Sequence, residues 1–443
     1  MVRQKLLIPL LFTCVSLSAC SSFFGGGDKE EPLEGERISV IELQKGLEPD
    51  DVVLETLGFV PPNEWQNQYW PQAGGYPNHA MQNLELSPNK LNKIWSADIG
   101  AGQKDRLPLT AQPIVFDGKI FTMDAESRVS AVDIKTGDRL WQYGLKPKDE
   151  DEYVIAGGLA YSEGTLYATS GFNELFALNP QDGKIKWKGA MKSPSRAAPT
   201  VIDGRVFVVT IDNQIFAYST QDGSELWSYQ GLESDAGLVG MAAPAANRDI
   251  VVPAFSSGEL YALRVENGSV AWVESLTANR NGNGLSSISD IRALPVMDKG
   301  AVIAMSFSGK IVALDERTGQ RLWQREVGGS QTPWVAGNHL FMITSNNEVA
   351  ALGRDQGKVV WVTQLPKYKK PKDREGAIAL KGPVLAGGRL IIGGSDKMIY
   401  EINPKNGDII RKWQTKSQVA VPPIVAGGVL YILTVDGKLT AYK

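Results

Sequence analysis

The sequence predicts an all-β fold, an eight-bladed β-propeller of four-stranded antiparallel blades. Three observations carry this prediction. Tryptophan recurs at 95, 141, 187, 227, 272, 323, 361 and 413, in steps averaging about 45 residues, the length of a propeller blade. In six of these units Ala stands ten residues before the Trp (131, 177, 217, 262, 313, 351) and Gly four before it (137, 183, 223, 268, 319, 357). Turn dipeptides cut each unit into four short β-rich runs.

The unit from Pro199 to Gln230 shows the physics. Asp203-Gly204, Asp212-Asn213 and Asp222-Gly223 are hairpin turns, and between them lie TVI, RVFVVTI, QIFAYST and SELWSYQ. A single four-stranded blade cannot cover both of its faces, so neighbours must cover them. The Trp near the end of the fourth strand belongs between blades. The Ala leaves room for its flat ring, and the Gly permits the positive φ of the third turn. Full units end at Trp141, Trp187, Trp227, Trp272, Trp323, Trp361 and Trp413, which makes seven. The C-terminal piece from Pro422 to Tyr442 supplies three strands and no Trp. The stretch from Lys90 to Asp98, with Trp95, supplies the fourth from the other end of the chain. An eighth blade stitched from both ends closes the ring and removes its open edges. The seventh unit departs from the pattern, with Glu401 in place of Ala and Trp413 two residues late.

Ahead of the repeats, residues 1–19 form a lipoprotein signal peptide. Arg3 and Lys5 are its positive region, and the apolar run Leu6 to Ala19 is too short to span a bilayer. It ends in Leu17-Ser18-Ala19-Cys20, where the Cys20 thiol is positioned to accept a diacylglyceryl group. Several acyl chains anchor a protein firmly where one binds only marginally. Cys14 leaves with the signal, so the domain that follows holds no thiol and no disulfide. Residues 20–36 are the lipidated Cys and a Gly-rich acidic spacer. Residues 37–90 form an N-terminal arm without a strong period, with a short strand expected at Ile38–Ile41 and a helical turn at 50–57. Residues 91–443 are the propeller.

Net charge is −3, and −5 once Arg3 and Lys5 depart, with no basic surplus of the kind a nucleic-acid binder shows. The two histidines, His79 and His339, lie far apart and read as solvated or locally bonded. Isolated acids such as Asp124, Asp290 and Glu348 form no ligand spacing, and no nucleophile elbow, phosphate loop or zinc motif is present. No catalytic residue, metal or cofactor is therefore assigned. The run Lys367-Tyr-Lys-Lys370-Pro-Lys372, with Arg374 and Lys381, reads as a solvated basic loop between the sixth and seventh blades, and Trp334, off the repeat phase, as core filling. Gly282 and Gly284 mark a mobile loop.

The repeat resembles the tryptophan-docking repeat of the quinoprotein dehydrogenases. With the lipobox, the segment Trp70-Pro-Gln-Ala-Gly-Gly75, the blade count and the stitched closure, the chain as a whole resembles the BamB family. These are eight-bladed lipoproteins of the β-barrel assembly machinery. The resemblance implies a non-catalytic scaffold that binds BamA and the rest of that complex, assists insertion of β-barrel proteins, and touches their unfolded chains. It implies anchoring at the periplasmic face of the outer membrane, in keeping with Ser21 after the cysteine. In that family BamA is met by loops on one rim. Two segments here match them: Gly237-Leu238-Val239-Gly240, and Ser289-Asp290-Ile291-Arg292. The resemblance thus marks Leu238, Val239, Asp290, Ile291 and Arg292 as partner contacts, although the family favours Arg at the place of Val239 and often a second acid at that of Arg292.

Two alternatives remain at this stage. One is a pyrroloquinoline-quinone-dependent dehydrogenase, which resembles this chain in fold but needs an Asp base, a metal held by acids and Asn, and often adjacent cysteines. The other is a periplasmic propeller that binds a ligand in its central channel. The lipobox itself yields a test. A Cys20→Ala variant is expected to lose acylation, read by mass spectrometry of the N-terminal peptide, and to leave the membrane fraction. An unmodified N-terminus on the wild-type protein would contradict this.

Overall fold

The turns of the repeat set its strands. In the third blade, Asp203 and Gly204 both take positive φ, 46° and 75°, the pair of values that a two-residue hairpin turn with the right twist requires. They join Thr200–Ile202 to Arg205–Val209, which pairs in turn with Gln214–Ser219 and then Glu225–Gln230. The computed structural model describes residues 47–50, 58–234, 239–277, 290–307 and 309–443, all within one unit spanning Leu47–Lys443. The four-stranded blade recurs eight times, and one additional hairpin, Tyr368–Lys370 with Glu375–Ala377, stands between the sixth and seventh blades. Within each blade the inner strands are almost wholly buried. The fourth strand alternates buried and exposed side chains, as an outer edge must.

The eighth blade is stitched. Ile424–Ala426, Val429–Thr434 and Lys438–Tyr442 are completed by Lys93–Asp98, with Trp95 opposite Ala441. Asn92 and Lys443 exchange backbone hydrogen bonds of 2.8 and 2.9 Å at the seam.

Trp and Ala face each other across the third and fourth strands: Ala131 opposite Trp141, Ala217 opposite Trp227, Ala313 opposite Trp323. Each ring then reaches the next blade. Trp227 Nε1 donates to Val265 O at 2.9 Å, and a Cβ on Gly268 would sit 2.6 Å from its ring. Trp95, Trp141, Trp187, Trp272, Trp323 and Trp361 make the same contact with Ile134, Pro180, Thr220, Glu316, Arg354 and Pro404 carbonyls. The repeat glycine therefore does two jobs. It supplies the positive φ of its own turn, and it gives the previous blade's indole a surface without a side chain.

Trp413 does not repeat this contact. The turn it would need joins the third and fourth strands of the following blade, and in the eighth blade that turn does not exist, because the two strands come from opposite ends of the chain. Arg411 stands opposite Glu401 at the usual Trp position and donates to Asn89 O at 3.2 Å, in the segment that leads into Trp95. Glu401, fully buried, is bound by Arg389 at 2.8 Å, Arg411 at 3.0 Å and the Trp413 indole at 2.9 Å. An ionic cluster thus replaces the indole at the one interface where the repeat is interrupted.

Asp50 of the arm meets the outer strands of the fifth and sixth blades at Arg325 and Val359, whereas a later stretch enters the ring. Residues 67–84 make one circuit around the axis and bond every blade in order. Asn67 holds Val425 and Gly427 of the eighth blade, Trp70 exchanges bonds with Val115 of the first, and Pro71 accepts from Tyr161 of the second. The Gln72 amide clamps Val201 of the third from both sides, at 2.7 and 2.9 Å. Pro77 and Asn78 accept from Ala246 and Met297, Gln82 O accepts from Trp334 Nε1, and Leu84 N donates to Leu385 O. Trp70, 1% exposed, stacks on Trp334 with centroids 6.4 Å apart.

Truncating one docking ring should be costly. Trp227→Ala is expected to destabilise the protein by about 3–5 kcal/mol, as large buried aromatics do, measured by urea unfolding. A loss below about 1 kcal/mol would contradict the docking geometry.

Candidate functional site

Short lead-ins at or just before each blade's first strand line the axis, several of them close to a proline: Arg196 ahead of Pro199, Arg292 ahead of Pro295, and Lys381, already in the strand, ahead of Pro383. Together these lead-ins ring an axial cavity of about 150 Å³. The arm closes one side with Trp70, Ala73, Gly74 and His79, and Trp334, Leu294, Val384 and Val421 add apolar wall. Among the described residues, Arg196, Arg292 and Lys381 are the charged side chains lining it, and no Asp or Glu does. Burial pushes Lys381 down to about 8, helped by the neighbouring Arg292 charge. Burial also lowers Arg292, against the opposing pull of Asp290.

His79 is buried, not solvated, and its bond is not local. Its Nδ1 lies 2.7 Å from Pro295 O, 216 residues away, so Nδ1 carries the proton and Nε2 is left buried without a partner. Desolvation lowers it to about 4. His339 is also buried and meets the neighbouring Asn338 at 2.8 Å.

The residues marked as partner contacts separate. Leu238 lies outside the described residues, as do Cys20, the spacer, Ile38–Ile41, residues 51–57, Gly282 and Gly284. Val239 is 46% exposed. Asp290 and Ile291 are expected on the rim, but at 5% and 1% exposure their side chains present no surface to a partner; Ile291 packs into the core between the fourth and fifth blades. Arg292 lines the cavity, and a Cβ on Gly240 would sit 3.4 Å from its guanidinium, so the two segments are spatial neighbours. In the basic run, Lys367 to Lys372 and Arg374 are on or beside the exposed hairpin, whereas Lys381 belongs to the next strand, Leu380–Ala386, and faces the axis. Asp124 is spent on structure, binding Arg128 at 2.7 Å and the Ala101 amide at 2.8 Å. Sequence reasoning missed the axial cations. The signal was available as a basic residue two or three places before a proline near the first strand of three blades.

The profile of the family described as outer membrane protein assembly factor BamB matches residues 125–363, more than half of the chain. The chain belongs to the BamB family. The BamB of Escherichia coli K12 is 28% identical over 444 residues, covering 99% of each chain, and that of Yersinia pestis is 26% identical over 81% of this chain and 89% of its own. Among solved structures, BamB from Moraxella catarrhalis superposes with a TM-score of 0.68 at 22% identity, over 80% of this chain and all of that one. A europium-containing methanol dehydrogenase also shares the fold, with a TM-score of 0.64 at 15% identity, over 82% of this chain and 89% of that one. The propeller is thus common to BamB and to quinoprotein enzymes, and the family profile together with the curated relatives separates them.

The buried histidine sets a pH dependence. Its folded pKa, about 4, lies below its unfolded value near 6.5. Stability from this group is therefore complete above pH 6.5 and is lost as pH falls toward 4, because the unfolded chain binds the proton first. From pH 7 to pH 5 the loss is about 2 kcal/mol. Urea unfolding at both pH values should show His79→Gln losing about that much less than the wild type.

Proposed function

We infer that this protein is a non-catalytic assembly factor that binds BamA and assists insertion of β-barrel proteins into the outer membrane. It works from the periplasmic face, with residues 1–19 removed, Cys20 lipidated and residues 20–36 as a tether. Membership of the BamB family, with relatives of that name aligned along nearly the full chain, carries this reading. The axis supports it against the quinone enzyme. A metal-assisted dehydrogenase needs carboxylates at the channel to hold a divalent cation and to take a proton. Here the lining charges are Arg196, Arg292 and Lys381, which would repel the metal. The residues present do not fit that cofactor.

The segments 237–240 and 289–292 supply the partner contacts in this reading. They rest on a rigid scaffold, as binding loops commonly do. Exposed Val239 beside Leu238 offers an apolar anchor. Asp290 and Ile291 act from beneath by fixing the strand that follows, and the remainder of the complex and unfolded clients meet the same lipid-anchored scaffold.

Leu238→Ala combined with Val239→Asp, in protein whose melting temperature is unchanged, is expected to weaken capture of BamA at least tenfold, the order expected when the apolar centre of an interface is lost. Undiminished capture would move the interface elsewhere, with the exposed basic hairpin as the next face to test.

A further inference from the structure

The axial cavity has a composition that partner binding on the rim does not explain. Three alternate blades, the third, fifth and seventh, place a cation at the lead-in position, and all three line one cavity. Like charges gathered in a space of about 150 Å³ repel, and Arg292 and Lys381 have given up hydration to be there. Asp290 faces Arg292 and offsets part of that charge. Lys381 has no ion pair among the described residues, and what reaches it is the repulsion of Arg292. Gln112 and Thr332 on the lining are already engaged, whereas His79 Nε2 is buried with no partner among the described residues. Gln112 Oε1 accepts from Gly74 N at 2.8 Å, and Thr332 Oγ1 accepts from Leu294 N at 3.1 Å. Besides Thr110, Ser330 and Gln331, the rest of the wall is mainly aromatic, aliphatic or glycine, with Trp70 and Trp334 stacked on one another. A concave apolar site with a few convergent charges is the usual form of a small-molecule site.

The geometry points to the axial cavity as a binding site for a small organic anion, a carboxylate on an apolar body, held by Arg196, Arg292 and Lys381. The carboxylate would offset one positive charge of the cluster, with guanidinium groups suited to hold it by paired N–H donors. The apolar body would lie against Trp70, Trp334 and Val384. A bare inorganic anion would meet the charges and leave that wall uncovered. This inference stands apart from the BamA reading, since the site lies on the axis and needs no partner chain.

Benzoate is a suitable probe, since it joins a carboxylate to a flat apolar ring. The purified full-length protein is titrated with benzoate at constant ionic strength and pH 7, following tryptophan fluorescence and melting temperature. Saturable binding that raises the melting temperature is expected, because a ligand selective for the native state stabilises it. Benzamide, the neutral analogue, should bind at least tenfold more weakly. Lys381→Met should also weaken benzoate at least tenfold while its ligand-free melting temperature holds or rises, since the variant removes a buried repulsion. Arg196→Gln serves as the second variant if Lys381→Met does not fold. Absence of saturable benzoate binding, or binding equal in wild type and variants, would overturn the site. Inorganic phosphate displacing benzoate at equal concentration would overturn the requirement for an apolar body.

Discussion

Every blade of this ring turns the edge of its innermost strand toward the axis, and the single circuit of residues 67–84 gives each of those edges a hydrogen-bonding partner. Backbone N–H and C=O groups buried without partners are costly, so an inner rim of eight strand edges must be filled by water or by chain. Here chain fills it from blade eight round to blade seven, mostly through backbone atoms and amides such as those of Asn67 and Gln72. The indole docking at seven interfaces holds neighbours together. The circuit ties all eight blades to one short segment, and it also decides where the channel ends and the cavity begins.

That arrangement lets one fold carry unlike chemistry. Shared architecture with a methanol dehydrogenase says little about what lies on the axis, because fold does not determine function. The lead-in residues do. They sit at equivalent places in successive blades and converge, so replacing a few of them rewrites the field of the channel without touching the blade cores. In this chain the result is cationic at Arg196, Arg292 and Lys381 and apolar at Trp70 and Trp334.

The propeller was legible because its signals are periodic and local. Trp, Ala and Gly at fixed offsets report one contact made again and again, and Asp203-Gly204 names its own turn. The failures share a cause as well. The arm touches one blade every two or three residues along a curve, which leaves neither a strand period nor a helix period. His79 looked solvated because its acceptor, Pro295, is distant in sequence. Lys381 looked like part of a basic run until the strand Leu380–Ala386 turned it inward. Asp290 and Ile291 sit where a loop becomes a strand, and burial changes within a residue or two at such a boundary. Trp413 was counted with the docking tryptophans because spacing cannot reveal that the turn it would rest on is absent from a stitched blade.

The seam between Asn92 and Lys443 has a consequence for how the molecule comes into being. A chain made from its N-terminus presents Lys93–Asp98 early, yet the strand that must lie beside it, Lys438–Tyr442, emerges about 340 residues later. Until then Trp95 has no Ala441 opposite it, and the first strand waits with an open edge. Joining ends about 350 residues apart carries an entropic cost that grows only slowly with length, so the delay is set by delivery of the chain. The closed ring therefore depends on both segments: a copy without Lys438–Tyr442 keeps an unmatched strand at Lys93–Asp98 and an indole with no Ala opposite it, two features that set an open ring apart from a closed one.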